Sequence, residues 1–339
     1  MTSLGSVVVL YNQLPGNASK DDLDVLCQVD AVSDTLDQLG FRVSNLAFSI
    51  NNDDFTETIL GIKPSFVFNL VESVLSKGRL SYLAPALLER LGIKYTGCSA
   101  ESILLTTDKV ATKKILKHLG ISTPPWVSTT ESDGFIPNDT YIVKALSEDA
   151  SIGICNDSVM PFNSIAQAQS LLNDMKMKFK RTFFAEKYID GREFSISILG
   201  DLGEPRILAP SEIRFIGYDE INKPKVVDYK AKWETDSFEY KNTFSAHCQN
   251  HEDHALMGEL RAISVKCWEN FKLRGYARID FRVDNEGKPW VLEINANPCI
   301  TPGESGFLKS AKESGFDFNA VIQNIITEAL YLRQAREPS

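Results

Sequence analysis

The densest chemistry in the chain lies in residues 278–298, RIDFRVDNEGKPWVLEINANP. Two β-forming runs flank a turn at Asn285–Lys288, so the segment predicts a hairpin. Side chains along a strand alternate faces with a period of two. Arg278, Asp280, Glu293 and Asn295 then share one face, and Ile279, Phe281, Leu292 and Ile294 the other. With Asp280 across from Glu293, two carboxylates and an amide oxygen converge beside an arginine. Hard oxygen ligands of this kind suit Mg²⁺, which usually also takes oxygens from nucleotide phosphates. The competing reading is a surface hairpin whose charged face is merely solvated.

Upstream, Lys109 follows Asp108 at the start of a helix, and Lys144 closes an apolar strand. Lys144 precedes ALSEDASIG, a small-residue loop whose backbone N–H groups could cradle phosphate. Taken singly, each lysine reads equally as a surface cation. The stretch AEKYIDGREFSISIL offers Glu186 and Glu193 to a base and a sugar, or is simply an amphipathic strand pair. Cys299 invites a nucleophile reading, but no histidine stands near it in sequence. The His-rich HCQNHEDH, residues 247–254, fits no common zinc spacing and reads as a solvated helix start.

The elements that must position these groups follow from periodicity. Val7 to Tyr11 reads as a buried strand, and a helix follows from about Asp22 to Leu39, with Leu23, Leu26, Val29, Val32 and Leu36 inward until Gly40 stops it. Strands at Arg42–Phe48 and Ser65–Leu70 complete a strand–helix–strand alternation that indicates a parallel α/β sheet. No GxGxxG follows the first strand, which argues against a dinucleotide-binding dehydrogenase. Helices are expected at Leu80–Leu91 and from a Thr107-Asp108 cap to Gly120, before Pro124-Pro125 breaks the chain. Strands follow at Tyr141–Lys144, Phe183–Tyr188 and Phe194–Leu199, and a last helix from Asn319 to Gln334 packs on the body through Val321, Ile322, Ile325, Ile326, Ala329 and Leu330.

Composition narrows the class. The chain has 339 residues, 43% hydrophobic and 24% charged, as in a soluble globular enzyme. A net charge of −9 without basic clusters disfavours a nucleic-acid surface. Six scattered cysteines without a CxxC pair read as reduced thiols of a cytoplasmic protein. The N-terminus lacks a basic leader and no apolar run reaches 18 residues, so neither a signal peptide nor a membrane span is expected.

In order along the chain, GIKYTGCSAESILLTTDK, IVKALSEDASIG, EKYIDGREFSI, VDYKAKW and RIDF…LEINANP resemble the ATP-grasp superfamily, most of all its D-alanine–D-alanine ligase group. The resemblance covers nearly the whole chain. It implies an α/β fold, α+β in the ATP-binding part: a Rossmann-like parallel-sheet domain over 1–107, a central ATP-grasp lobe over 108–190, and a lobe carrying the metal and catalytic residues over 191–339. It implies that Lys109 and Lys144 contact ATP phosphates while the Ser151–Gly153 loop closes over them. Glu186, Lys187 and the backbone around Ile189 would hold adenine, and Glu193 the ribose. Asp280, Glu293 and Asn295 would bind Mg²⁺, or Mn²⁺ in its place, with Lys232 reaching the phosphates. Arg278 and the backbone N–H of Cys299 would stabilise an oxyanion. The implied reaction makes an acyl phosphate from a carboxylate and ATP, then opens it with an amine. The substrates are expected to be amino acids or peptides, and a homodimer is expected by analogy.

The substrate end departs from the pattern. YNQLPGNASKDDLD lacks the family's glutamate after the first strand, and FNLVES around Asn69 and Glu72 replaces a His-Gly-rich segment. Ala150 stands for a serine, Trp233 for a tyrosine and Cys299 for a glycine; Ala150, Trp233 and Ser305 are expected to contact the substrate. Three hydrogen-bonding groups around the first amino acid are missing together, at about 1–3 kcal/mol each. A changed first substrate is therefore expected, with an L-amino-acid or peptide-modifying ligase as one alternative and a regulatory nucleotide-binding module without turnover as another.

Overall fold

The computed structural model describes residues 4–16, 20–50, 54–148, 156–248 and 253–334. A parallel strand covered on both faces needs apolar side chains on both. Ser6–Asn12 (β1) meets this: Val7 and Val9 enter one core, Val8 and Leu10 another. Lys20–Gln38 (α1) lies against the first core, Arg42–Phe48 (β2) follows, and Asp54–Ile62 (α2) crosses over to Phe66–Leu70 (β3). The strands pair in parallel in the order β2–β1–β3. Helix α1 is rotated slightly from its expected face: Val25 is buried, whereas Leu23 is exposed. The expected helix at Leu80–Leu91 is shorter, Leu83–Arg90 (α3), after a 3₁₀ turn at Gly78–Leu80.

Two capped helices lead out of this layer. Ser99 caps Ala100–Thr107 (α4), and the Asp108 carboxylate accepts from the N–H groups of Val110 and Ala111 at the start of Lys109–His118 (α5). The chain then builds a five-stranded antiparallel sheet from Trp126–Val127 (β4), Ser132–Asp133 (β5), Asp139–Ala145 (β6), Val159–Phe162 (β7) and Phe183–Lys187 (β8), in the order β5–β4–β8–β6–β7. Ile165–Phe179 (α6) covers it with Ala168 and Leu172.

A third sheet contains Gly191–Asp201 (β9), Glu204–Ile207 (β10) and Ser211–Phe215 (β11). Short helices at Tyr229–Trp233 (α7) and Phe238–Asn242 (α8) precede Thr243–His247 (β12), and His254–Asn270 (α9) leads to the hairpin Tyr276–Asp284 (β13) and Pro289–Ala296 (β14). The order is β12–β11–β9–β13–β14, with β10 pairing β9. Gly306–Glu313 (α10) and Phe318–Gln334 (α11) return to the first layer, where Phe307, Val321, Ile322 and Ile325 pack with Val7, Leu36 and Phe66. Helices α10 and α11 thus share a core with the opening sheet.

The hairpin differs from a strict period-two reading at one residue. Asp280 pairs with Glu293 as expected, but Phe281 pairs with Val291, so Leu292 is a bulge. Val291 takes the core position beside Phe281, and Leu292 turns to line the cavity with Glu293 and Asn295.

Candidate active site

A cavity of about 1050 Å³ opens between the three sheets, above the roughly 300–1,000 Å³ of ordinary small-molecule sites. Its lining brings together Asn69 and Glu72 near β3, Lys144 on β6, Glu186 on β8, Glu193 on β9 and the polar face of the hairpin. On that face Asp280 accepts from three side chains. Oδ1 accepts from Ser195 Oγ (2.7 Å) and Arg278 Nε (2.8 Å); Oδ2 accepts from Arg278 Nη2 (2.7 Å) and Asn295 Nδ2 (2.9 Å). Glu293 lies across the ladder, 3.5 Å from Lys109 Nζ. Burial pushes its carboxyl up, but Lys109, Lys144, Arg278 and Lys232 outweigh that and hold it at about 2. Among the described residues no three His, Cys, Asp or Glu side chains group as a metal site. The donor set is two carboxylates and an amide, which fits a hard cation that draws its remaining ligands from phosphate and water.

Both lysines expected at the phosphates face the cavity, and both pair with carboxylates. Lys109 is buried, donates to the Glu148 carbonyl (3.0 Å) and lies beside Glu293. Lys144 is 2.6 Å from Glu186 Oε1, while the other oxygen of Glu186 is 2.5 Å from Lys113. Glu186 is buried, and the attraction of the two lysines overcomes desolvation to keep its carboxyl below the ordinary range. The carboxylate expected at adenine is therefore the bridge of a lysine pair. Lys187 spends its ammonium on Asp139 (2.6 Å) and its N–H on the Pro125 carbonyl (2.7 Å). Ile189 is buried at the cavity wall. Glu193 lies 2.9 Å from Arg282, with burial pushing its carboxyl upward against that charge. Ala150, Ser151 and Gly153 lie outside the described residues, as does the middle of 247–254.

The loop after β14 is set by close backbone approach. Gly97 has φ +85°, and a Cβ there would meet Asn297 Oδ1 at 2.5 Å. Asn297 Oδ1 accepts from Cys98 N–H (2.8 Å), tying the TGCS segment to the NANP turn. Beyond it, Ile300 N–H donates to Gln28 Oε1 (3.0 Å), and Ser305 Oγ donates to the Cys299 carbonyl (2.5 Å) while capping α10. The peptide around Cys299 is thus held from both sides. The Cys299 thiol lies 3.3 Å from Asp24 Oδ2, and burial with the Glu72 and Asp24 charges pushes it up to about 12, which disfavours a thiolate. Gln28 also donates to Glu72 (2.9 Å), so α1 supplies a wall that sequence reading left unassigned. Lys232 and Trp233, on α7, line the cavity; the indole Nε1 is buried without a hydrogen-bond partner among the described residues.

Sequence reading missed Lys113, Ser195, Arg282, Asp24 and Gln28. Lys113 had a signal: it stands four residues after Lys109, on the same helical face. Ser195 and Arg282 alternate onto the faces of Glu193 and Asp280, a pattern the period of two contains. Asp24 and Gln28 carry no local signal, because they meet Cys299 and Ile300 respectively only through the tertiary fold.

A family profile described as the D-ala D-ala ligase C-terminus matches residues 115–327. A D-alanine–D-alanine ligase of Aquifex aeolicus is 32% identical over 305 residues, 88% of this chain and 92% of that protein. An uncharacterised protein, y4sG of Sinorhizobium fredii, is 31% identical over 266 residues, 78% of this chain and 74% of its own. The solved D-alanine–D-alanine ligase of Bacillus anthracis complexed with ATP superposes with a TM-score of 0.72 at 22% identity, covering 98% of this chain and all of that one. The described residues contain no helix long and apolar enough to cross a membrane. The chain belongs to the D-alanine–D-alanine ligase family of ATP-grasp enzymes, which join carbon to nitrogen.

Proposed function

We propose that the protein binds ATP in the cavity and joins an amino acid or short peptide to an amine through an acyl phosphate, with a first substrate larger than D-alanine. The observation that carries this is the convergence of Arg278, Asp280, Glu293 and Asn295 with Lys109 and Lys144 in one cavity. Asp280, Glu293 and Asn295 would hold Mg²⁺, which when bound offsets negative charge on the phosphates. Lys109 and Lys144, whose charges already act on Glu293, would do the same beside it. A donor carboxylate oxygen attacks the γ-phosphorus and breaks its bond to the bridging oxygen, releasing ADP. The amine then attacks the acyl carbon, loses a proton and expels phosphate. Arg278 and the Cys299 N–H, fixed by the bonds of Ser305 and Gln28, serve the oxyanion of that second step. The spans 1–107, 108–190 and 191–339 are proposed as the working units.

The substrate end supports a changed donor. Trp233 puts an apolar ring with a single donor at the wall, and its N–H has no hydrogen-bond partner among the described residues. Asp24 and Glu72 give the far end two carboxylates, which suit a protonated amine. A pocket discriminates by about 1–3 kcal/mol per methylene-sized misfit. The test is a screen of ADP release with D-alanine, larger D- and L-amino acids and short peptides, followed by mass spectrometry of products. A larger donor is expected to outpace D-alanine. If D-alanine alone is the best substrate, the changed-pocket reading is wrong; if nothing elicits ADP, so is the ligase reading.

A further inference from the structure

Lys113 is a fully buried ammonium that the reaction above does not use. Its Nζ donates to Thr123 Oγ1 (2.8 Å) and the Pro124 carbonyl (3.4 Å), and lies 2.5 Å from Glu186 Oε2. Two of its three donors make hydrogen bonds to this wall, and the charge meets Glu186 as a close ion pair. The Thr123 hydroxyl proton goes to the Val291 carbonyl (2.8 Å), which leaves its lone pairs facing Lys113 and ties the arrangement to β14. Lys144 differs. Its side chain keeps 14% exposure and reaches the same carboxylate from the cavity side, at 2.6 Å. Glu186 is thus clamped between one immobile cation and one at the cavity wall.

Moving Lys144 onto a phosphate would, without Lys113, strand a buried carboxylate, and breaking a buried ion pair is strongly unfavourable. We propose that Lys113 is a positioning residue, the fixed counter-ion of Glu186 that lets Lys144 exchange its carboxylate partner for nucleotide phosphate. This rests on the ATP-site reading above. Lys113 touches no ligand itself; it acts by keeping Glu186 paired while Lys144 moves. Adenosine, which has no phosphate, makes no such demand.

The test is calorimetric titration of the full chain with ATP and with adenosine, in the presence of Mg²⁺, for wild type, Lys113→Met, Glu186→Gln and the double variant. Lys113→Met should weaken ATP at least about tenfold, the scale of a stranded buried charge, and change adenosine by less than about threefold. In turnover its KM for ATP should rise more than its kcat falls. In the double variant no charge is stranded, so its ratio of ATP to adenosine affinity should return to that of Glu186→Gln. Equal ATP affinity in wild type and Lys113→Met, equal loss of ATP and adenosine, or a double-variant loss that is the sum of the singles would each overturn the proposal. If Lys113→Met does not fold, the double variant must fold and bind ATP; a double variant that folds no better also overturns it. Wild type that binds neither ligand would instead remove the ATP-site reading, and this proposal with it.

Discussion

Replacing Glu293 by Gln removes the charge on which Lys109, Lys144, Arg278 and Lys232 act. Those cations hold the carboxyl at about 2 rather than 4.5, worth roughly 3 kcal/mol at 1.36 kcal/mol per pKa unit. The side chain retains 26% exposure, so solvent screens part of this and the figure is a ceiling. Because the folded-state pKa is depressed, the contribution is complete above pH 4.5 and disappears as pH falls toward 2. Glu293→Gln should therefore remain folded at neutral pH with a Tm lowered by several degrees. The stability gap from wild type should narrow as the pH drops below 4.5. Turnover should suffer far more: losing a direct metal carboxylate forfeits several kcal/mol of charge stabilisation, about a thousandfold in rate. Circular dichroism melts across pH and a coupled ADP-release assay at ordinary Mg²⁺ measure the two effects. ADP release within about tenfold of wild type would refute the assignment of Glu293 to the metal.

Two further outcomes follow from the loop and the thiols. Gly97→Ala must fit a Cβ at φ +85° against the Asn297 amide, and should cost about 1–3 kcal/mol in a urea titration while lowering turnover through displacement of the Cys299 peptide. Wild-type turnover with wild-type stability would show that the loop is not held as described. Alkylation at mildly alkaline pH should label exposed Cys27 and spare Cys299, whose thiol is pushed up to about 12 by burial and neighbouring carboxylates; labelling of Cys299 at the rate of Cys27 would contradict that.

The hairpin chemistry was legible because a period of two needs nothing beyond the hairpin itself. Arg278, Asp280, Glu293 and Asn295 fall together as expected, whereas Leu292 does not, since a bulge is a property of strand pairing. The helices α1, α5 and α11 were found within a few residues of their ends; α2 and α4, at nine and eight residues, are too short for periodicity to speak, and α6 and α9 were not assigned although they are longer. Lys113 reads as a surface lysine until α5 is packed against Glu186. The donor wall was illegible because Asp24, Gln28, Glu72 and Cys299 come from three distant segments. What the sequence did carry there was a set of absences, such as Trp233 where the family pattern has a tyrosine.

The acyl phosphate is the centre of the account, and oxygen tracing tests it directly. The best donor from the substrate screen, labelled with ¹⁸O in its carboxylate, would be turned over with ATP and the acceptor amine, and the released phosphate analysed by mass spectrometry. Attack by the donor oxygen on the γ-phosphorus, followed by expulsion of phosphate from the acyl carbon, predicts one ¹⁸O in each phosphate and one in the new amide. Unlabelled phosphate beside an amide that carries one ¹⁸O, the other having left in water or AMP, would contradict it.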